Sequence, residues 1–292
     1  MTHIMRSIIH TFLVILVLVT AGLLAAAAAE TSLPADPPNP DVPPIHAEST
    51  HAAQAFSAIA DLVFYSAYVS RGQVNSDRPV IEPALTVKKD GVRLNVWGNL
   101  DLSDQVTGKH QFSEVDLTAA YDFPVPVIEA SAGIIEYLYP NTLRPETREV
   151  FLSVIWPNPI LRPDLDMYYD FGDVHGAYVV LSLEHDFTFL KDRLSLTPGV
   201  DSGWGSRSYN TYNFAWEVDN ETASDDLVTS QDAGLVNGEA YFIAEYKLTP
   251  SLILGGRALY AWLWNSNMEA GARQIYFDVK QWVFGGSLSY KF

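Results

Sequence analysis

The sequence predicts an all-β fold, an antiparallel transmembrane β-barrel of about twelve strands. Three observations carry this prediction. From Phe56 onward, apolar or small side chains occupy every second position in segment after segment, the period of a strand with two unlike faces. The segments run about 10–14 residues, enough for a tilted strand to cross a bilayer and longer than the ~5–6 of an average strand. The chain ends on Trp282-Val-Phe-Gly-Gly-Ser-Leu-Ser-Tyr-Lys-Phe292, which in a soluble sheet would be an exposed apolar edge. In a barrel the same segment pairs with the first strand, and no edge remains.

Taken in order, residues 1–29 read as a signal peptide. Arg6 precedes the apolar stretch that starts at Phe12, and Ala27-Ala28-Ala29 supplies small residues for cleavage. Residues 30–54 carry Pro34, Pro37, Pro38, Pro40, Pro43 and Pro44 and few large apolar side chains. They form an extended Pro-rich periplasmic tail with too little apolar surface to offset the entropy of ordering. Residues 55–292 form the barrel. Its expected strands are 55–71, 79–89, 91–102, 112–123, 127–139, 147–156, 162–171, 175–188, 193–205, 236–248, 251–264 and 275–292.

The connections support this division independently. Lys89-Asp90-Gly91, Pro124-Val125-Pro126 and Thr249-Pro250-Ser251 are tight turns after even-numbered strands. Long connections follow odd-numbered strands, at 71–79, 103–111, 141–146, 205–235 and 265–274; Gly172-Asp173-Val174 is the short exception. An outer-membrane barrel with both termini in the periplasm has this sidedness. Tyr65 and Tyr68, Tyr137 and Tyr139, and Tyr260, Trp262 and Trp264 stand near strand ends, where interfacial girdles place aromatic rings.

Charge and composition narrow the function. The 18 Lys and Arg stand against 35 Asp and Glu, a net charge of −17, which disfavours nucleic acid as a partner. There is no cysteine, so a disulfide framework and a thiolate metal site are both excluded. No cofactor and no metal site are expected. The acidic stretch within 205–235 carries Glu217, Asp219, Glu221, Asp225, Asp226 and Asp232. Those are oxygen ligands suited to calcium, but at no recognised spacing, and a solvated loop is the simpler reading. A membrane-embedded ester hydrolase would need Ser and His in contact. Ser182 and His185 lie three apart, on opposite faces of one strand, and no G-x-S-x-G occurs, so the chain is not expected to be an enzyme.

Alternation puts Arg93, Asn95, Asn99, Asp101, Glu114, Asp116, Asp166, Glu184, Glu239, Glu245 and Arg257 on the water-facing side of their strands, as pore-lining residues. Acids dominate this set, so a weak cation preference is expected. Tyr68-Val-Ser-Arg71-Gly72, Val96-Trp97-Gly98-Asn99, Glu114-Val115-Asp116, Tyr137-Leu-Tyr139-Pro140-Asn141 and Glu149-Val150 together resemble the pattern of TorF-type porins. The resemblance covers about the first half of the barrel and implies an outer-membrane pore former, with no catalytic residues to carry over. The expected partners are outer-membrane lipid, small solutes or cations, and the barrel-assembly machinery through the strand ending in Phe292. The rival readings are an outer-membrane hydrolase and a non-conducting barrel that displays its surface loops.

Overall fold

The computed structural model describes residues 56–158, 160–218, 227–228 and 231–292. The signal peptide, the Pro-rich tail and the middle of the acidic 205–235 connection lie outside these residues. In chain order the strands are β1 (Ser57–Tyr65), β2 (Tyr68–Ser70), β3 (Gln73–Ser76), β4 (Val80–Lys89), β5 (Val92–Asp101), β6 (Phe112–Phe123), β7 (Glu129–Leu138), β8 (Thr147–Ile155), β9 (Arg162–Asp170), β10 (Ala177–Glu184), β11 (Phe187–Phe189), β12 (Leu194–Gly205), β13 (Glu217–Val218), β14 (Leu227–Val228), β15 (Gly234–Lys247), β16 (Leu252–Leu263) and β17 (Lys280–Lys291). Two helices, α1 (Arg207–Phe214) and α2 (Ser266–Ile275), lie in connections.

Twelve strands close into a ring. The order runs β1, β4, β5, β6, β7, β8, β9, β10, β12, β15, β16, β17 and back to β1, and every neighbouring pair is antiparallel. The last strand meets the first through Ile59↔Lys291 and Phe64↔Gly286, so the apolar C-terminal segment is a paired wall rather than an edge. No helix among the described residues is long and apolar enough to cross a membrane; the ring of strands does so.

The alternation resolves into two faces. Leu94 pairs with Ala119 and Val96 with Leu117, while Asn95 pairs with Thr118 and Trp97 with Asp116. The first set faces outward, where Leu94 is 53% exposed, and Leu62, Phe64, Leu165, Leu181, Phe242 and Leu254 share that belt. Large apolar side chains on a solvent-accessible outer wall are what a lipid environment requires. At one end, Tyr260, Trp262, Trp264, Trp282 and Phe284 form a continuous outer ladder, with Tyr260–Trp282 centroids 4.9 Å apart and Trp262–Trp264 5.2 Å apart. At the other, Tyr121, Phe123, Tyr290 and Phe292 form edge-to-face pairs. These two aromatic zones bracket the apolar belt.

Four sequence expectations change. The expected first strand, 55–71, ends at Tyr65. Ala67 buries itself against Leu259 and Val283, and β2 and β3 form a hairpin turned into the lumen. Its turn needs positive φ at Arg71 (51°) and Gly72 (78°), and a Cβ at Gly72 would lie 2.5 Å from that of Asn237. Here local turn chemistry overrides an apolar pattern that reads as extended. The expected strand 275–292 begins only at Lys280, because Asn265 accepts the Asn267 N–H and caps α2. The expected strand 175–188 is likewise divided, with β10 ending at Glu184 and β11 standing apart at Phe187–Phe189. Finally, Tyr65, Tyr68, Tyr137 and Tyr139 point inward and line an internal cavity rather than joining a girdle.

The connections on the long-loop side fold over and into the barrel. A cap on α1, where Ser206 accepts the Tyr209 N–H, starts a helix whose Tyr209 and Phe214 are buried with Met268 and Ala272 of α2. Tyr178, Val236, Leu263 and Val279 complete that apolar cluster. The helices touch where Gly271 meets Phe214; a Cβ there would lie 1.8 Å from the Phe214 carbonyl oxygen.

Candidate functional site: the interior of the barrel

A cavity of about 320 Å³ lies inside the ring. Its walls come from opposite sides of the barrel and from the inward connections: Glu82 of β4, Trp97 of β5, Glu114 and Asp116 of β6, Glu239 of β15 and Arg257 of β16 face it, together with the hairpin and Arg144. The hairpin forms one boundary, and its polar groups are tied down on every side.

The strongest tie is Arg71. Its Nη1 and Nη2 donate to Glu149 Oε1 and Oε2 at 2.7 Å each, and the Tyr137 hydroxyl donates to the same carboxylate at 2.7 Å. The guanidinium also lies over the rings of Tyr168 (4.4 Å), Tyr178 (4.7 Å) and Tyr209 (5.9 Å). A forked pair with stacked faces suits arginine's planar geometry. Burial works against this charge, but Glu149, with Tyr137 and Tyr209 beside it, holds the Arg71 pKa well above the ordinary arginine value. On the flanks, the Tyr68 hydroxyl donates to Glu114 at 2.7 Å, and the Tyr276 hydroxyl donates to Gln73 at 2.8 Å.

Arg144, from the connection after β7, lies over Tyr139 at 4.4 Å. Burial lowers its pKa, but Tyr139 and Glu114 more than compensate, so it also stays charged. On the far wall, Arg257 lies 5.1 Å over Tyr241, whose hydroxyl donates to Glu184 at 3.1 Å. Arg257 has no carboxylate within ion-pair distance among the described residues, and its Nε has no partner.

The residues singled out from the sequence lie on the inward side of their strands but play unequal parts. Glu114, Asp116, Glu239 and Arg257 face the cavity. Asn99 is buried and donates to Ser113 at 2.7 Å, and Asp101 accepts from Thr107 at 2.7 Å; both brace the 102–111 connection. Asn95 donates to Thr86 at 2.9 Å. Glu184 is paired with Arg162. Arg93 lies near the opposite mouth, paired with Asp122 at 3.1 Å. Asp166 neighbours Asp164 on β9, and Glu245 is exposed toward the end of β15. Arg71 and Arg144 add positive charge from connections, which strand alternation leaves out, and Arg162 adds more from an inward position of β9, so the interior is less one-sidedly acidic than the sequence suggests. Glu82 is a further buried acid that sequence reasoning passed over, although it stands at an inward position of an alternating strand.

Among the described residues no group of three or more His, Asp or Glu is placed to hold a metal ion. His185 makes an edge-on contact with Phe187 at 4.3 Å.

No family model matches the chain, and no curated protein matches it. Among solved structures it is similar to the NanC porin, with 12% identity, 82% of this chain and 100% of that chain covered and a TM-score of 0.46. It is similar to the outer membrane channel DcaP of Acinetobacter baumannii, with 9% identity, 81% and 96% coverage and a TM-score of 0.38. It is also similar to the Acinetobacter baumannii outer membrane protein Omp33, with 9% identity, 82% and 99% coverage and a TM-score of 0.38. A closed antiparallel ring, an apolar outer belt bracketed by aromatic zones and a polar interior make this chain a bacterial outer-membrane β-barrel of porin-like architecture.

Proposed function

We propose that the protein passes small polar solutes through its lumen, with a weak preference for cations, as a pore former of TorF type. The observation that carries the reading is the internal cavity faced by Glu82, Asp116 and Glu239, none of which has a cationic partner within 4.0 Å among the described residues. Where such acids are ionised in a narrow, low-dielectric passage, they raise the local concentration of cations. The TorF-type resemblance gains support because its scattered motifs meet in space: Arg71 with Tyr137 and Glu149, and Tyr68 with Glu114.

Single-channel recording on the purified barrel in planar bilayers tests this reading. Discrete conductance steps are expected, with reversal potentials displaced toward the cation equilibrium potential. A barrel that inserts, runs as folded protein and conducts nothing would overturn the pore and favour a closed, loop-displaying barrel.

A further inference from the structure

We propose that the cavity is a binding site for a small zwitterion carrying both an ammonium and a carboxylate group, of which an α-amino acid is the simplest case. This deepens the reading of the lumen as a solute path and rests on it. The cavity, about 320 Å³, stands at the small end of the ~300–1,000 Å³ range of ligand pockets. Three of the charges that face it are committed to the protein itself. Arg71 is neutralised by Glu149, Glu114 accepts from Tyr68, and Arg144 lies over Tyr139.

Among the side chains that line the cavity, two on different walls each keep one buried atom without a partner. Arg257 on β16 faces the cavity with an unpartnered Nε, and Asp116 on β6 faces it with an unpartnered Oδ1. Glu82 stands between these walls on β4. An unpartnered buried donor and an unpartnered buried acceptor each carry a desolvation cost. One ligand removes both if it accepts at one end and donates at the other. A carboxylate takes the guanidinium fork, and an ammonium takes Asp116 and Glu82. Trp97 supplies an aromatic face on the acidic side. A simple cation would leave the Arg257 Nε unanswered, and a simple anion would meet the acids.

Calorimetric titration of the full-length barrel in detergent micelles with L-alanine, acetate and ethylammonium tests the site. Saturable binding of L-alanine, tighter than either half-molecule, is expected. Arg257→Gln and Asp116→Asn should each weaken it about tenfold or more, the loss of one charge-assisted contact. Arg257→Lys should recover part of the loss, and heat-modifiable gel migration confirms that each variant is folded. Equal binding of alanine and ethylammonium, or alanine binding indifferent to Arg257→Gln, overturns the zwitterion site. Liposome swelling in L-alanine separates this from the pore reading. Flux without saturable binding sinks the site and leaves the pore, whereas binding without flux sinks the pore and leaves the site.

Discussion

At the scale of single residues, the barrel places unlike demands on neighbours one position apart. Leu94 is 53% exposed on the outer wall, and Asn95 donates to Thr86 inside it. Leu94→Arg sets a charge against lipid and should cost about 2–4 kcal/mol near the midplane. Asn95→Arg gives up two hydrogen bonds, to Thr86 and to the Leu85 carbonyl, in a wet interior and should cost clearly less. Urea unfolding in lipid vesicles measures both, and equal losses would mean that the register is shifted. Glu149 is the more consequential position. Glu149→Ala leaves Arg71 buried without its partner, and breaking such a pair typically costs about 3–5 kcal/mol. Part of that loss should appear as release of the hairpin rather than as barrel unfolding, so conductance should rise while heat-modifiability persists.

Legibility at this scale was uneven, for a physical reason. Period-two alternation told Leu94 from Asn95 because the side of a strand is set by parity alone. Nothing comparable identifies Arg71 or Arg144. Both sit in connections, which have no period, and their importance depends on where those connections fold. Glu82 stands at an inward position of β4 but in the segment Val80-Ile-Glu-Pro-Ala-Leu, where Pro83 and the surrounding apolar residues obscure the alternation.

At the scale of elements, strands were legible and their ends were not. Twelve expected strands correspond to twelve barrel strands, yet the expected first strand runs through Arg71 and the expected last one starts at 275. In both places a local device stops the strand: the positive-φ turn at Arg71-Gly72 and the Asn265 cap of α2. The short α1 and α2 lie in connections whose composition signals only a loop. Replacing residues 67–76 by a short Gly-Ser link should remove the hairpin while keeping the ring, since β1 and β4 pair directly through nine registered positions from Ser57↔Lys88 to Tyr65↔Val80. The expected result is a severalfold larger unitary conductance in planar bilayers. At the C-terminus, Phe292 donates its N–H to the Ala58 carbonyl and its ring packs edge-on against Tyr290. Deleting Phe292 should lower the yield of folded barrel in outer-membrane fractions, read as loss of the heat-modifiable band.

At the scale of the whole molecule, charge is the quantity that acts over distance. The chain carries a net charge of −17, and in the lumen Arg71, Arg144, Arg162 and Arg257 temper the acids. Screening within about 8 Å at physiological ionic strength weakens what remains. The cation preference should therefore be small in molar salt and grow as salt is diluted, measured by reversal potentials across a fixed gradient. Joint neutralisation of Glu82, Asp116 and Glu239 should reduce it at every concentration. A preference for anions would show that the arginines set the field.

The docking of the hairpin bears on the order of assembly. Gln73 near the start of the chain is held by Tyr276, 203 residues later, and Arg71 by Glu149, 78 residues later. Neither anchor exists while the early strands stand alone. A growing sheet must therefore carry this segment loose until β8 delivers Glu149, and can finish seating it only when the chain's final quarter brings Tyr276, because contacts at such separations form only after the intervening strands are registered. The late arrivals β16, α2 and β17 seal the wall and complete the seating of the hairpin through Leu259, Tyr276 and Val283. An arrested intermediate lacking them would be an open trough with its hairpin accessible to protease, whereas the finished barrel protects it.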